Sequence, residues 1–239
     1  LTKAESSQLL RDEDALAVLR HVPDVASAVA DAIDELGTGF VVGADVLAPA
    51  ARGRRACGPA ITLRYRRLCA DVDEVRSTGM EARLGDRDLY ATARGGEVAI
   101  FDCPGAPDSA VLGAISAHWA ALAGLSGVVV SGAIRDSVSV VGTGLPVWSR
   151  ARVPRAARYR FTTAAIGEPV RLAGNVVHPG DIVIADDDGV CVVPSSSLAA
   201  VAQICADGDA VERELLERIR SCSSIEELQA KSAPAEFDR

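Results

Sequence analysis

At 239 residues the chain is long enough to bury one sizeable core and too short for two independent cores of ordinary size. Hydrophobic residues make up 49% and charged residues 24%, which excludes a disordered or fibrous chain, and aromatics at 4% leave few stacking platforms for bases or sugars. A formal charge of −8 opposes general attraction to phosphate backbones, so nucleic acid is not an expected partner.

From Asp12 to Leu36 apolar residues recur at helical spacing in two stretches divided by Pro23, with Asp24 a natural N-cap for the second. Gly37 to Gly43 resembles a dinucleotide-binding fingerprint, but its last interval is one residue too long and it follows a helix, so it reads as a helix exit. Strand composition marks Ala56 to Tyr65, Val98 to Phe101, Val128 to Ser131, Leu145 to Trp148, Pro169 to Leu172, Ile182 to Ala185 and Val190 to Val193. Helices are expected over Leu89 to Arg94, Ala110 to Ala123 and Ser195 to Arg220. In the last, Leu198, Val201, Ile204 and Cys205 give one apolar face that Leu215, Leu216 and Ile219 continue. This order implies a mixed α/β fold rather than a regular doubly wound one, in a single domain over residues 1–239. Without an apolar run near the roughly 20 residues that span a bilayer, and without a signal-peptide centre in Leu1 to Arg11, no membrane partner and a cytoplasmic location are expected.

Some chemistries are removed by residue counts. The cysteines, at 57, 69, 103, 191, 205 and 222, never form a C-x-x-C pair, and His21, His118 and His178 lack the spacing of a helical metal pair. The two lysines, Lys3 and Lys231, both sit in polar tails, which argues against Schiff-base chemistry; an aldol reaction would need a metal ion as its electron sink. Two strand candidates end in a carboxylate, at Asp102 and at Arg135-Asp136. Either both acids face one pocket beyond the strand ends, where a hard cation would suit them, or Asp102 caps the following loop and Asp136 pairs with Arg135 or caps a turn. Pro104 to Ala117 reads as a turn-rich loop feeding a helix that ends near Gly124, and the helix N-terminus is either an anion cradle or a start capped by Asp108 or Ser109. Val177 to Pro194, with Asp186, Asp187 and Asp188, reads as a structural hairpin with an acidic turn, and His178 as a loop residue. The arginine runs at 52–55, 64–67 and 150–160 line an anionic-substrate entrance, bind RNA or, as is commonest, form solvated faces; Arg64 and Arg66 alternate onto one side of a strand, which would suit a polycarboxylate substrate.

The succession of segments resembles one family, that of the regulator of ribonuclease activity A and the 4-hydroxy-4-methyl-2-oxoglutarate / 4-carboxy-4-hydroxy-2-oxoadipate aldolases. It runs through Asp31 to Gly37, Gly58 to Thr62, Gly96 to Asp102, Leu112 to Ala114, Gly127 to Asp136 and Pro179 to Pro194. The resemblance implies a swivelling β/β/α sandwich with terminal helices, assembled as a homotrimer or homohexamer with sites between subunits. It implies a metal-dependent pyruvate aldolase acting on a small 2-oxo acid, with oxaloacetate decarboxylation through the same enolate. Asp136 would bind Mg2+ or Mn2+, and Arg135 would stabilise the enolate. The backbone of Gly113, Ala114, Ile115 and Ser116 would hold the pyruvoyl carboxylate. Glu212 would reach a neighbouring subunit's metal waters, and it or a metal-linked water would take the C4 hydroxyl proton; Asp31, Asp34 and Glu35 are placed less securely. The alternative the family offers is a non-catalytic regulator that binds a ribonuclease or another protein. The regulator branch lacks the acid after the Arg, which this sequence keeps as Asp136. The sequence departs from the family at Ser131, where Asp is common, and in a longer Arg-rich stretch over 150–160.

Overall fold

The computed structural model describes residues 12–80 and 82–231, so Lys3 lies outside the described residues. The chain opens with helices α1 (Asp12–His21) and α2 (Val25–Leu36), then strands β1 (Phe40–Gly43), β2 (Ala48–Pro49) and β3 (Ala56–Arg67). Helices α3 (Val72–Thr78) and α4 (Asp86–Ala91) lead to β4 (Val98–Asp102), β5 (Ala110–Leu112), α5 (Ala114–Leu122), β6 (Gly127–Ile134), α6 (Ser137–Gly142) and β7 (Val147–Arg152). A run of strands follows, β8 (Phe161–Ile166), β9 (Val170–Leu172), β10 (Asn175–Val177), β11 (Ile182–Ala185) and β12 (Gly189–Val193), before α7 (Leu198–Arg220) and α8 (Ile225–Lys231). This is the mixed α/β fold with terminal helices that the sequence implies.

The strands join in the order β1-β12-β11-β3-β4-β6-β7-β2, with β8 on β3 and β5 on β6. Strand β3 is the hinge of the arrangement. Its first residues pair antiparallel with β11, from Ala56↔Ala185 to Pro59↔Ile182, and its later ones pair parallel with β4, from Ala60↔Val98 to Arg64↔Asp102. Parallel pairing continues from β4 to β6 and from β6 to β7.

Side-chain alternation sends each strand's residues into different cores. Ala99 and Phe101 of β4, and Val128 and Val130 of β6, pack under the α4–α6 side. Val98, Ile100 and Val129 face the opposite way, against Val170, Leu172, Val183 and Val192. In the same manner Ile182, Ile184, Cys191 and Val193 turn toward α1, α2 and α7, while Val183, Ala185, Val190 and Val192 turn inward. Burial on both faces explains why β4, β6, β11 and β12 read as near-continuous apolar runs. At Gly58 an added Cβ would collide with the Gly96 carbonyl oxygen, so the crossing of β3 over the β4 entry requires glycine.

Three local expectations are corrected. Helix α5 begins at Ala114, because Ala110 and Leu112 are drawn into pairing with Ala133 and Ile134 of β6. Gly113 stands at its N-cap position; Asp108 is instead bound by Arg67 at 2.6 Å, and the Ser109 hydroxyl donates to Asp108. Asp24 precedes α2 in a left-handed conformation and makes no side-chain cap. The buried carboxylate of Asp186 caps that end, accepting from the Ala26 N–H at 2.9 Å. No helix among the described residues is long and apolar enough to cross a membrane.

Candidate functional site

Strand β6 runs through buried Ala133 and Ile134 into Arg135, whose N–H donates to the Leu112 carbonyl at 2.9 Å. The next residue, Asp136, takes a left-handed conformation with φ 54° before α6 begins. A non-glycine residue held there is uncommon and locally strained. The turn brings the Asp136 carboxylate to the start of α5, where Oδ2 accepts from the Ala114 N–H at 3.2 Å and lies 3.5 Å from Arg135 Nε. Both side chains remain half-exposed. Gly113 makes this approach possible: a Cβ there would fall 2.7 Å from Asp136 Oδ2 and 3.1 Å from Arg135 Nε.

These residues open onto a cleft of about 600 Å3. Gly113, Ala114, Ile115, Ser116, Arg135 and Asp136, all expected site residues, line it together. Arg83, Arg87 and Arg158 add three further guanidinium groups, and Asp86 and Asp88 two further carboxylates. Arg83 is occupied by Asp88 at 2.7 Å, Arg87 stacks over Trp119 at 5.3 Å, and Arg158 stacks over Tyr159 at 4.8 Å. Below the first turn of α5, the Tyr90 and Ser116 hydroxyls share a buried hydrogen bond of 3.0 Å. Burial pushes the Tyr90 hydroxyl far up from its ordinary range, with the Ser116 bond opposing and the charge of Asp86 adding to the rise, so it stays protonated.

Other expected residues lie elsewhere. Glu212 is exposed on α7 and does not line the cleft of its own chain; the first half of that helix packs on α1 and α2. Asp31, Asp34 and Glu35 are exposed on α2. Asp102 does not share a pocket with Asp136. It accepts from the Arg171 N–H at 3.0 Å and lines a separate cleft with Ser131 and Arg150. Arg64 is paired with Glu168 at 2.9 Å, a register shift separates it from Arg66, and neither arginine lines the Asp136 cleft. The acidic turn is structural, as expected: Asp186 holds α2, and Asp187 accepts from the Gly53 N–H. His178 is an exposed loop residue. Lys231 is exposed and paired with Glu227, so no described lysine is placed for Schiff-base chemistry. Sequence reasoning missed Arg83, Asp86 and Arg87; Arg158 falls in the Arg-rich stretch that marked the chain's departure from its relatives.

No group of three or more His, Cys, Asp or Glu side chains among the described residues is placed to hold a metal ion. The donor chemistry still fits a hydrated hard cation, because Mg2+ keeps several waters and takes only one or two protein carboxylates. Asp136 offers one, half-exposed and facing the cleft.

Residues 26–192 match the family described as RraA-like, Aldolase/RraA. Protein DlpA of Legionella pneumophila is 28% identical over 83% of this chain and 31% of its own length. The "Putative 4-hydroxy-4-methyl-2-oxoglutarate aldolase" of Halalkalibacterium halodurans is 30% identical over 52% of this chain and 60% of its own. The matches thus span less than two thirds of these curated relatives' lengths. Among solved structures, Streptomyces coelicolor RraAS2, described as an unusual member of the RNase ES inhibitor RraA protein family, superposes with a TM-score of 0.69 at 25% identity. That match covers 85% of this chain and 96% of the other.

Proposed function

The chain belongs to the RraA-like, Aldolase/RraA family, and from that premise we propose that it is a divalent-metal-dependent pyruvate aldolase cleaving 4-hydroxy-4-methyl-2-oxoglutarate or a related 4-hydroxy-2-oxo acid, with oxaloacetate decarboxylation as a second activity. The observation that carries this reading is the meeting of Arg135, Asp136 and the Gly113–Ser116 turn in one arginine-rich cleft. Asp136 is the residue that would hold Mg2+ or Mn2+, which when bound supplies an electron sink for the 2-oxo group. The Arg135 guanidinium stabilises negative charge developing on the enolate oxygen. Backbone N–H groups at the start of α5 bind the pyruvoyl carboxylate, as a helix N-terminus favours.

Glu212 enters such a site only from a second copy of the chain, in a homotrimer or homohexamer. An exposed apolar stripe of Ile115, Trp119 and Leu122 along α5, beginning at the cleft, supports a neighbour at this face. A second reading, a regulator docking on a ribonuclease, draws on the likeness to RraAS2. The Arg135-Asp136 pair favours the lyase.

The test is pyruvate release from oxaloacetate and from 4-hydroxy-4-methyl-2-oxoglutarate, coupled to lactate dehydrogenase, with Mg2+, Mn2+ or EDTA. Release above the spontaneous rate that EDTA abolishes is the expected result. No release from either substrate, together with tight binding of a ribonuclease, would replace the lyase by the regulator.

A further inference from the structure

Three carboxylates line the cleft, and two are already engaged. Asp88 is held by Arg83 at 2.7 and 2.8 Å, and Asp136 faces Arg135 and the Ala114 N–H. The third, Asp86, is the first residue of α4 and is buried, 8% exposed, yet its carboxylate accepts no hydrogen bond and forms no ion pair among the described residues. Beside it the hydroxyl of Tyr65 is buried without a hydrogen-bond partner. Burial, and next the charge of Asp86, raise that hydroxyl well above its ordinary range, so it remains a neutral neighbour rather than a counter-charge. The Tyr65 hydroxyl, buried and unsatisfied, costs stability, whereas the Asp86 carboxylate beside it is open to the cleft and to whatever occupies it. A carboxylate left unpaired, buried and opening on a cleft is equipped to accept a proton from a ligand.

Resting on the aldolase reading, we infer that Asp86 is the base that accepts the C4 hydroxyl proton of the 4-hydroxy-2-oxo acid, from within the same chain and in place of Glu212. The hydroxyl proton passes to an Asp86 carboxylate oxygen, and the O–H electron pair becomes the second bond of the departing carbonyl. The C3–C4 bond breaks, and its electron pair passes into pyruvate enolate, which then takes a proton from water at C3. Asp86 returns its proton to solvent. Oxaloacetate decarboxylation forms the same enolate but has no hydroxyl proton to remove, so it bypasses Asp86.

The test compares the two activities in Asp86→Asn and Glu212→Gln, with thermal melting of each variant as a folding control. For Asp86→Asn the ratio of aldol to decarboxylase kcat is expected to fall about 100-fold or more, the range of a lost general base; for Glu212→Gln the ratio should hold within about 3-fold. Equal loss of both activities in Asp86→Asn, no loss of either, or a selective aldol loss in Glu212→Gln would each overturn the assignment. Should Asp86→Asn fail to fold, Asp86→Ser is measured by the same ratio. Wild-type protein that performs neither reaction would instead defeat the aldolase reading itself, and the assignment with it.

Discussion

Strands β4 and β6 end alike in sequence and differently in the folded chain. Each is a run of buried aliphatic residues that closes on an acid, Asp102 after Phe101 and Asp136 after Arg135. The Asp102 carboxylate is used by the framework, accepting the Arg171 N–H and so tying β9 to the end of β4. Asp136 is turned out of regular structure by a positive φ and set against an arginine, a helix start and an open cleft. Each carboxylate accepts one backbone N–H and each lines a cleft; what sets Asp136 apart is its strained turn and the arginine beside it.

Removing each acid in turn separates the two roles by the largest effect. Asp136→Ala is expected to lower pyruvate release at least about 100-fold, comparable to loss of a transition-state stabilising group, with little change in melting temperature. Asp102→Ala is expected to do the reverse, costing about 1 kcal/mol of stability for a lost hydrogen bond while turnover stays within about 3-fold. Denaturant titration alongside the coupled assay measures both. Equal loss of turnover in the two variants would mean that the acids work together and that their separate clefts mislead.

A finer version alters the space around Asp136 without touching its charge. Gly113→Ala places a Cβ 2.7 Å from Asp136 Oδ2, so the carboxylate or the Arg135 side chain must move. Turnover is expected to fall about 10-fold, from misplacement of groups that must be held within a fraction of an ångström. A variant with unchanged kcat and KM would show that the approach of Asp136 to α5 is incidental.

Much of this contrast can be read in the sequence, because Arg135-Asp136 closes a long apolar run and apolar runs become strands buried on both faces. The hairpin of β11 and β12 follows from two such runs around Asp186, Asp187 and Asp188. Asp102, by contrast, looked equivalent to Asp136, since its partner lies 69 residues away in β9 and no local pattern announces it. Strand β5 looked helical for the same kind of reason: Ala110, Val111 and Leu112 suit either state, and pairing with β6 decides. Asp86 was invisible, since its burial and its lack of partners are properties of tertiary packing around α4.

Asp108 provides the smallest effect and a third kind of acid, one held by charge at the surface rather than by backbone or strain. Arg67, at the end of β3, donates to its two oxygens at 3.0 and 2.6 Å, and the Ser109 hydroxyl donates at 2.9 Å. Those bonds, the Arg67 bond foremost, bring the Asp108 carboxyl from 3.8 down to about 2. Because the folded value lies below the unfolded one, the pair contributes fully above about pH 4, and its contribution is lost as pH falls toward 2. Both side chains are well exposed, so solvent and salt screen the pair and the gain is small. Urea titrations of the wild type and of Asp108→Asn at pH 5, 3 and 2 should show a stability gap that is widest at pH 5, closes toward pH 2 and shrinks in 1 M salt. A gap independent of pH would assign the difference to packing in the Arg67 and Phe161 stack, where the guanidinium lies 5.6 Å from the ring centre, and Asp108 would join Asp102 among acids whose charge is secondary to their place in the framework.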